Sequence, residues 1–157
     1  MEDLRCLKRV MVGEGLTVAT AESCTGGALA HTLTSIPGSS DYFRGGVVAY
    51  STDVKVRLLG VREETVREFS VYSVQTVREM AYGVRDLMGT DVAIATSGEF
   101  NGRGYFFYCI ITPEGEETGR VEVEGDRVAM KEEAVRFLLR RLLLLLLRSR
   151  PYSTSGP

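Results

Sequence analysis

The sequence predicts an α/β fold: a three-layer α/β/α sandwich around one mixed, mostly parallel sheet of about five strands. Three observations carry that expectation. In the first half, short apolar β-branched runs alternate with segments of helical periodicity. Asp91-Val92-Ala93-Ile94-Ala95-Thr96 is apolar at successive positions, as a strand covered on both faces requires. The second half ends in two strand-like runs around Pro113-Glu114-Gly115 and then one long helical segment, which adds a hairpin and a covering helix.

In chain order, Leu4, Leu7, Val10 and Met11 show helical spacing, and Gly13 or Gly15 closes that first helix. Leu16 to Thr20 reads as a buried strand. Ala28 to Leu33 reads as a helix that stops before the breaker pair Pro37-Gly38. Ser39 to Phe43 connects to Gly45-Gly46, which leads into a second strand from Val47 to Tyr50. Ser51-Thr52-Asp53 offers N-caps for a helix closed by Gly60. Thr65 to Phe69 is a short helix. Ser73 caps a longer one, with Val74, Val77, Met80, Ala81, Val84 and Leu87 near 3.6-residue spacing. Asp91 to Thr96 is the third strand, Ser97 to Gly104 a loop, Tyr105 to Thr112 the fourth strand and Gly119 to Glu124 a half-exposed fifth. The last helix runs from Arg127 to Leu147. Residues 1–147 are expected to form one domain, and 148–157, rich in Ser, Pro and Gly, a flexible tail.

Composition excludes several function classes. A net charge of −2 over 157 residues, with no recognisable nucleic-acid motif, argues against a nucleic-acid partner. Cys6, Cys24 and Cys109 are odd in number and widely spaced, unlike a disulfide framework or a zinc site, so reduced thiols and a cytoplasmic location are expected. The N-terminus lacks the basic-then-apolar order of a signal peptide. The leucine run from Leu142 to Leu147 is far shorter than the roughly 20 residues that span a bilayer, so no membrane partner is expected. A buried helix end or an oligomer contact fits the run; being apolar all round its helix, it predicts a self-association surface and so a homo-oligomer.

The chemistry gathers at Glu22-Ser23-Cys24-Thr25-Gly26-Gly27, where a strand turns sharply into a helix. Unpaired N–H groups at such a helix start, and the positive end of its dipole, favour an anion or a developing oxyanion. Ser23 at the strand exit is placed as a nucleophile; the same position suits an ordinary N-cap. Ligands of such sheets bind beyond the carboxyl ends of parallel strands, where Ser23, Tyr50 and Ser97 would gather. His31, the sole histidine, lies inside a helix pointing away, so no Ser-His-Asp triad is available. Lys55 is the candidate base, provided burial lowers its pKa. Tyr50 would hold the amine or relay a proton through its hydroxyl. The plainer readings are a solvated helix lysine and a packing tyrosine. Cys24 is a rival nucleophile.

Thr20-Ala21-Glu22-Ser23-Cys24-Thr25-Gly26-Gly27, Ile36-Pro37-Gly38-Ser39-Ser40, Gly45-Gly46-Val47-Val48-Ala49-Tyr50-Ser51, Lys55 and Leu58-Leu59-Gly60-Val61 strongly resemble the C-terminal domain family of CinA, the competence/damage-inducible protein. Val71-Tyr72-Ser73, Met80-Ala81 and Gly125-Asp126-Arg127 continue the register more loosely. The family's members are nicotinamide-nucleotide amidohydrolases. The resemblance implies Ser23, Tyr50 and Lys55 as catalytic residues. It also implies metal- and cofactor-free hydrolysis of the carboxamide of nicotinamide mononucleotide through an acyl-enzyme. Cys24, Thr25, Gly26, Gly27, Ser97 and Gly98 would line the small-molecule nucleotide site, with oxyanion donors near Cys24 to Gly26. The segment Ser97 to Gly104 departs from the family, whose corresponding Gly/Pro-rich loop is several residues longer and lines the nucleotide pocket. Arg103 and Arg127 are the candidates to supply phosphate contacts in its place. The shortening also opens an alternative: a divergent, non-catalytic nucleotide- or partner-binding domain.

Overall fold

The structure, a computed structural model, describes residues 1–148. Helix α1 (Glu2–Glu14) leads to strand β1 (Val18–Glu22), helix α2 (Ala28–Leu33), a 3-10 turn (Ser39–Asp41) and strand β2 (Phe43–Val48). Helices α3 (Thr52–Leu59), α4 (Glu63–Phe69) and α5 (Val74–Met88) follow. The chain ends in strands β3 (Val92–Glu99), β4 (Arg103–Thr112) and β5 (Gly115–Glu124), then helix α6 (Arg127–Arg148). Arg148, assigned to the tail from sequence, is thus the last residue of α6. The rest of that expected tail lies outside the described residues.

The five strands form one sheet in the order β2-β1-β3-β4-β5. β1 pairs parallel with β2 and β3, and β4 is antiparallel to both of its neighbours. The expected mixed sheet between two helical layers is therefore present. The side-chain period of two divides the central strands between two cores. Val18, Ile94 and Ile110 face one, with α1, α2 and α6. Ala19, Ala21, Ala93 and Ala95 face the other, with Leu59 of α3 and Val77, Met80, Ala81 and Val84 of α5. Helix ends follow local chemistry. Ser51 and Ser73 accept the N–H groups of Val54 and Thr76 at 3.3 and 3.1 Å, and Gly15, Gly60 and Gly89 close helices in the left-handed region.

Four boundaries differ from expectation. β1 extends to Glu22, so Ser23 is the first residue beyond it. β2 starts at Phe43 and ends before Tyr50, because Gly45 and Gly46 are ladder residues opposite Ala19 and Thr20. A Cβ on Gly46 would collide with the Thr20 hydroxyl, so the glycine is there for close strand approach. β5 begins at Gly115 and pairs with β4 over its whole length. The loop expected over 97–104 does not form. Ser97, Gly98 and Glu99 pair with Phe107, Phe106 and Tyr105, leaving only 100–102 as a tight turn.

The leucine run is largely spent inside the chain: Leu142, Leu143 and Leu146 are buried, while Leu144 and Leu147 are 43% and 39% exposed. The all-round apolar character that suggested self-association is thus half core packing. Among the described residues no helix is long and apolar enough to cross a membrane.

Candidate active site

The carboxyl ends of β1, β2 and β3 lie along one edge of the sheet, and a cavity of about 480 Å³ opens there. Its lining includes Ser23, Cys24, Tyr50, Lys55, Tyr72, Gly98, Glu99, Asn101 and Arg127.

Ser23 is held where β1 stops, its N–H donating to the Thr96 carbonyl of β3 at 3.1 Å. The turn that follows requires its glycines: Gly26 and Gly27 have φ of +60° and +102°. Gly26 donates its N–H to the Ser23 carbonyl at 3.0 Å and Ala28 donates to Thr25 at 3.0 Å. The helix start is not an open anion site. The buried Glu22 carboxylate fills it, accepting the N–H groups of Leu29 and Ala30 at 2.8 and 3.1 Å. This corrects the expectation that the α2 dipole waits for substrate. It also removes Gly26 from the oxyanion donors, leaving Cys24 and Thr25, whose N–H groups reach no backbone carbonyl among the described residues.

Lys55 comes from the first turn of α3, which starts at the Ser51 cap and folds back over the end of β1. Its side chain is buried, 2% exposed, and its Nζ lies 3.0 Å from Ser23 Oγ. Nζ also donates to the Tyr50 carbonyl at 3.1 Å, and no carboxylate neutralises it among the described residues. Burial in this setting pulls the amine below its ordinary pKa. A lysine driven toward its neutral form beside a serine hydroxyl can take that hydroxyl's proton. Cys24 is driven the opposite way: burial pushes its thiol up to about 12, so it stays protonated and weakly nucleophilic at neutral pH.

Tyr50 lines the cavity, but it is the carbonyl that holds Lys55. The residue is 62% exposed, and its hydroxyl accepts from Arg127 at 3.2 Å. The expected phenol-to-amine hold is therefore corrected, because β2 ends at Val48 and leaves Tyr50 on an exposed bend. Arg127, at the start of α6, does reach the cavity. Arg103 does not: in the tight hairpin it faces Glu124 across the ladder, 4.0 Å away and largely exposed. The Thr25 hydroxyl is buried against that of Thr96 at 2.9 Å and supports the turn from below. Ser97 is buried away from the cavity. Its hydroxyl donates to the Val71 carbonyl at 2.8 Å and so fixes the segment that presents Tyr72. Ser70, just before it, sits at φ 77°, a rare region for a side-chain-bearing residue, with its carbonyl bonded by Ser73 and Thr76 at 2.8 Å. His31 is exposed on α2 and outside the cavity, as expected.

Sequence reasoning missed Glu22, Tyr72, Glu99, Asn101 and Lys131, whose Nζ lies over Gly26. A charged residue ending an otherwise apolar strand was a usable signal for Glu22. Glu99 was hidden by the assignment of its segment to a loop.

The model of the CinA C-terminal domain family matches residues 5–146. A CinA-like protein of Flavobacterium psychrophilum is 43% identical over 117 residues, covering 69% of this chain and 28% of that protein. One from Chloroherpeton thalassium is 51% identical over 89 residues, covering 57% of this chain and 21% of that protein. The chain thus spans only a minor part of these curated relatives. Among solved structures, a competence-damaged protein (CinA) superfamily protein from Klebsiella pneumoniae is 32% identical, with a TM-score of 0.88 over 94% of this chain and 97% of that one. A superfamily member from Enterobacter cloacae is 36% identical, with a TM-score of 0.85 over 92% and 90%.

Proposed function

The chain belongs to the CinA C-terminal domain family, and from that premise we propose that it hydrolyses the carboxamide of nicotinamide mononucleotide, giving nicotinate mononucleotide and ammonia. The observation that carries the reading is the buried, carboxylate-free Lys55 amine 3.0 Å from Ser23 Oγ in a cavity at the sheet edge.

In this reading neutral Lys55 accepts the Ser23 proton as Oγ bonds to the carboxamide carbon. The N–H groups of Cys24 and Thr25 carry the resulting oxyanion. The oxyanion collapses, the C–N bond breaks, and the Lys55 ammonium returns its proton to the leaving amine as ammonia. A water molecule then gives a proton to Lys55 and attacks the acyl carbon, and Lys55 protonates Ser23 Oγ as nicotinate mononucleotide departs. The Tyr50 carbonyl, accepting from Nζ, keeps the amine aimed throughout. Arg127 supplies the positive charge for the substrate phosphate.

One observation favours a second reading, a non-catalytic nucleotide-binding domain: the hairpin turn is reduced to residues 100–102 and Arg103 points away from the cavity. Purified protein incubated with nicotinamide mononucleotide separates the two. Hydrolysis predicts ammonia in stoichiometry with nicotinate mononucleotide, absent from Ser23→Ala. Equal traces from both proteins reject hydrolysis of this substrate.

A further inference from the structure

The hairpin of β3 and β4 brings a carboxylate to the cavity. Glu99, at the end of β3, is half-buried and lines it. Its Oε2 accepts the Tyr105 hydroxyl at 3.2 Å, and it forms no ion pair among the described residues. Tyr72 lines the same cavity, 36% exposed, its ring edge-to-face with Tyr105 at 6.3 Å. Burial and the neighbouring Glu99 charge keep the Tyr72 phenol protonated above its ordinary range. Arg127 also lines the cavity, meets only the Tyr50 hydroxyl and pairs with no carboxylate among the described residues.

Two opposite charges thus face one cavity without neutralising each other. Leaving a partly buried carboxylate unpaired costs free energy, which a ligand cation would recover. A ligand carrying both signs complements such a lining. An aromatic side chain beside the carboxylate suits a cation spread over a flat ring, which is weakly hydrated and stacks.

We propose that Glu99, with Tyr72 beside it, is a specificity-determining residue that selects a substrate whose ring carries a positive charge over the same substrate with a neutral ring. The inference rests on reading the cavity as a nicotinamide-nucleotide site. It assigns the charge selection to the last residue of β3, beside the tight turn.

The test uses Ser23→Ala as a background in which nothing turns over. It is titrated calorimetrically with nicotinamide mononucleotide and with its dihydro form, which keeps the carboxamide, ribose and phosphate but has a neutral ring. The pyridinium form should bind about three- to tenfold tighter. Adding Glu99→Gln should bring the ratio to about one by weakening the pyridinium form alone. A ratio untouched by Glu99→Gln overturns the proposal. So does tighter binding of both forms, which identifies the carboxylate as a repeller of the phosphate. If neither form binds, this inference and the nucleotide reading fall together. If Ser23→Ala binds with the expected selectivity while the unsubstituted protein releases no ammonia, only hydrolysis falls.

Discussion

Lys55 Nζ approaches Ser23 Oγ at 3.0 Å from a side chain that is almost wholly withdrawn from water. An amine in that position is costly to protonate and useful when it is not. The two consequences are separable by experiment.

Lys55→Met removes the base and the buried polar group together. Turnover should drop by at least about a thousandfold, the scale of a lost general base. Stability should move the other way, with a melting temperature higher at pH 7 by roughly 2–5 °C. The sign follows from the lowered pKa of Lys55. Between its folded pKa and the ordinary lysine value the unfolded chain binds more protons, so Lys55 penalises the fold there, and the penalty shrinks as pH rises toward that value. Thermal melts of both proteins from pH 7 to 10 should converge with rising pH; a gap that widens rejects the neutral-lysine assignment.

The same lowered pKa sets the activity profile. The log of kcat/KM should climb with slope one on the acidic side, because only the neutral amine accepts the Ser23 proton. Cys24, with its thiol pushed up to about 12, should contribute nothing to that limb. Cys24→Ser is expected to retain turnover within about tenfold, and alkylation of Cys24 at pH 7 to be far slower than that of a free thiol. Rapid alkylation that parallels loss of activity assigns the nucleophile to the wrong atom.

Glu22 is the structural counterweight. Its carboxylate takes two N–H groups that would otherwise be free at the α2 start. Glu22→Gln replaces one acceptor with a donor facing a donor, and should cost about 1–3 kcal/mol in chemical denaturation. A loss below about 0.3 kcal/mol contradicts the cap.

How much of this was legible depends on the length scale of the signal. Helices ended by serine caps and glycines were readable because each boundary is decided within a few residues, as at Ser51, Ser73, Gly60 and Gly89. The central strand was readable because Val92 to Ala95 is buried on both faces. The pairing of Ser23 with Lys55 was readable once the turn and the following capped helix were placed. Gly45 and Gly46 misled, because the atoms a Cβ would meet there belong to other elements, Met88 of α5 at Gly45 and Thr20 of β1 at Gly46. Residues 97–99 misled for a related reason: a serine, a glycine and a glutamate, they are strand only because Tyr105 to Phe107 lie opposite. The leucine run was legible only as an apolar helix, because periodicity cannot tell which side of it the rest of the chain covers.

That cross-strand dependence is itself measurable. Gly46→Ala drives a Cβ into the Thr20 hydroxyl and to 3.0 Å from its carbonyl oxygen. It should destabilise by about 1–3 kcal/mol. Thr20 Oγ1 is buried with no hydrogen-bond partner among the described residues, so Thr20→Ala removes the obstacle without breaking a bond. The double variant should recover a coupling of about 0.5 kcal/mol or more in a double-mutant cycle. Strict additivity places the strain somewhere other than this contact.

Tyr50 offers the sharpest division between side chain and backbone. Lys55 is held by the Tyr50 carbonyl, which any residue retains, while the hydroxyl serves Arg127 on the exposed rim. Tyr50→Phe should therefore leave kcat within about threefold and raise KM about three- to tenfold, as an interaction used equally by bound substrate and transition state does. Arg127→Ala should show the same pattern more strongly, because it removes the charge and not just its orientation. A Tyr50→Phe protein whose kcat collapses with KM unchanged would return the phenol to the proton path and displace Lys55 as sole carrier of the serine proton.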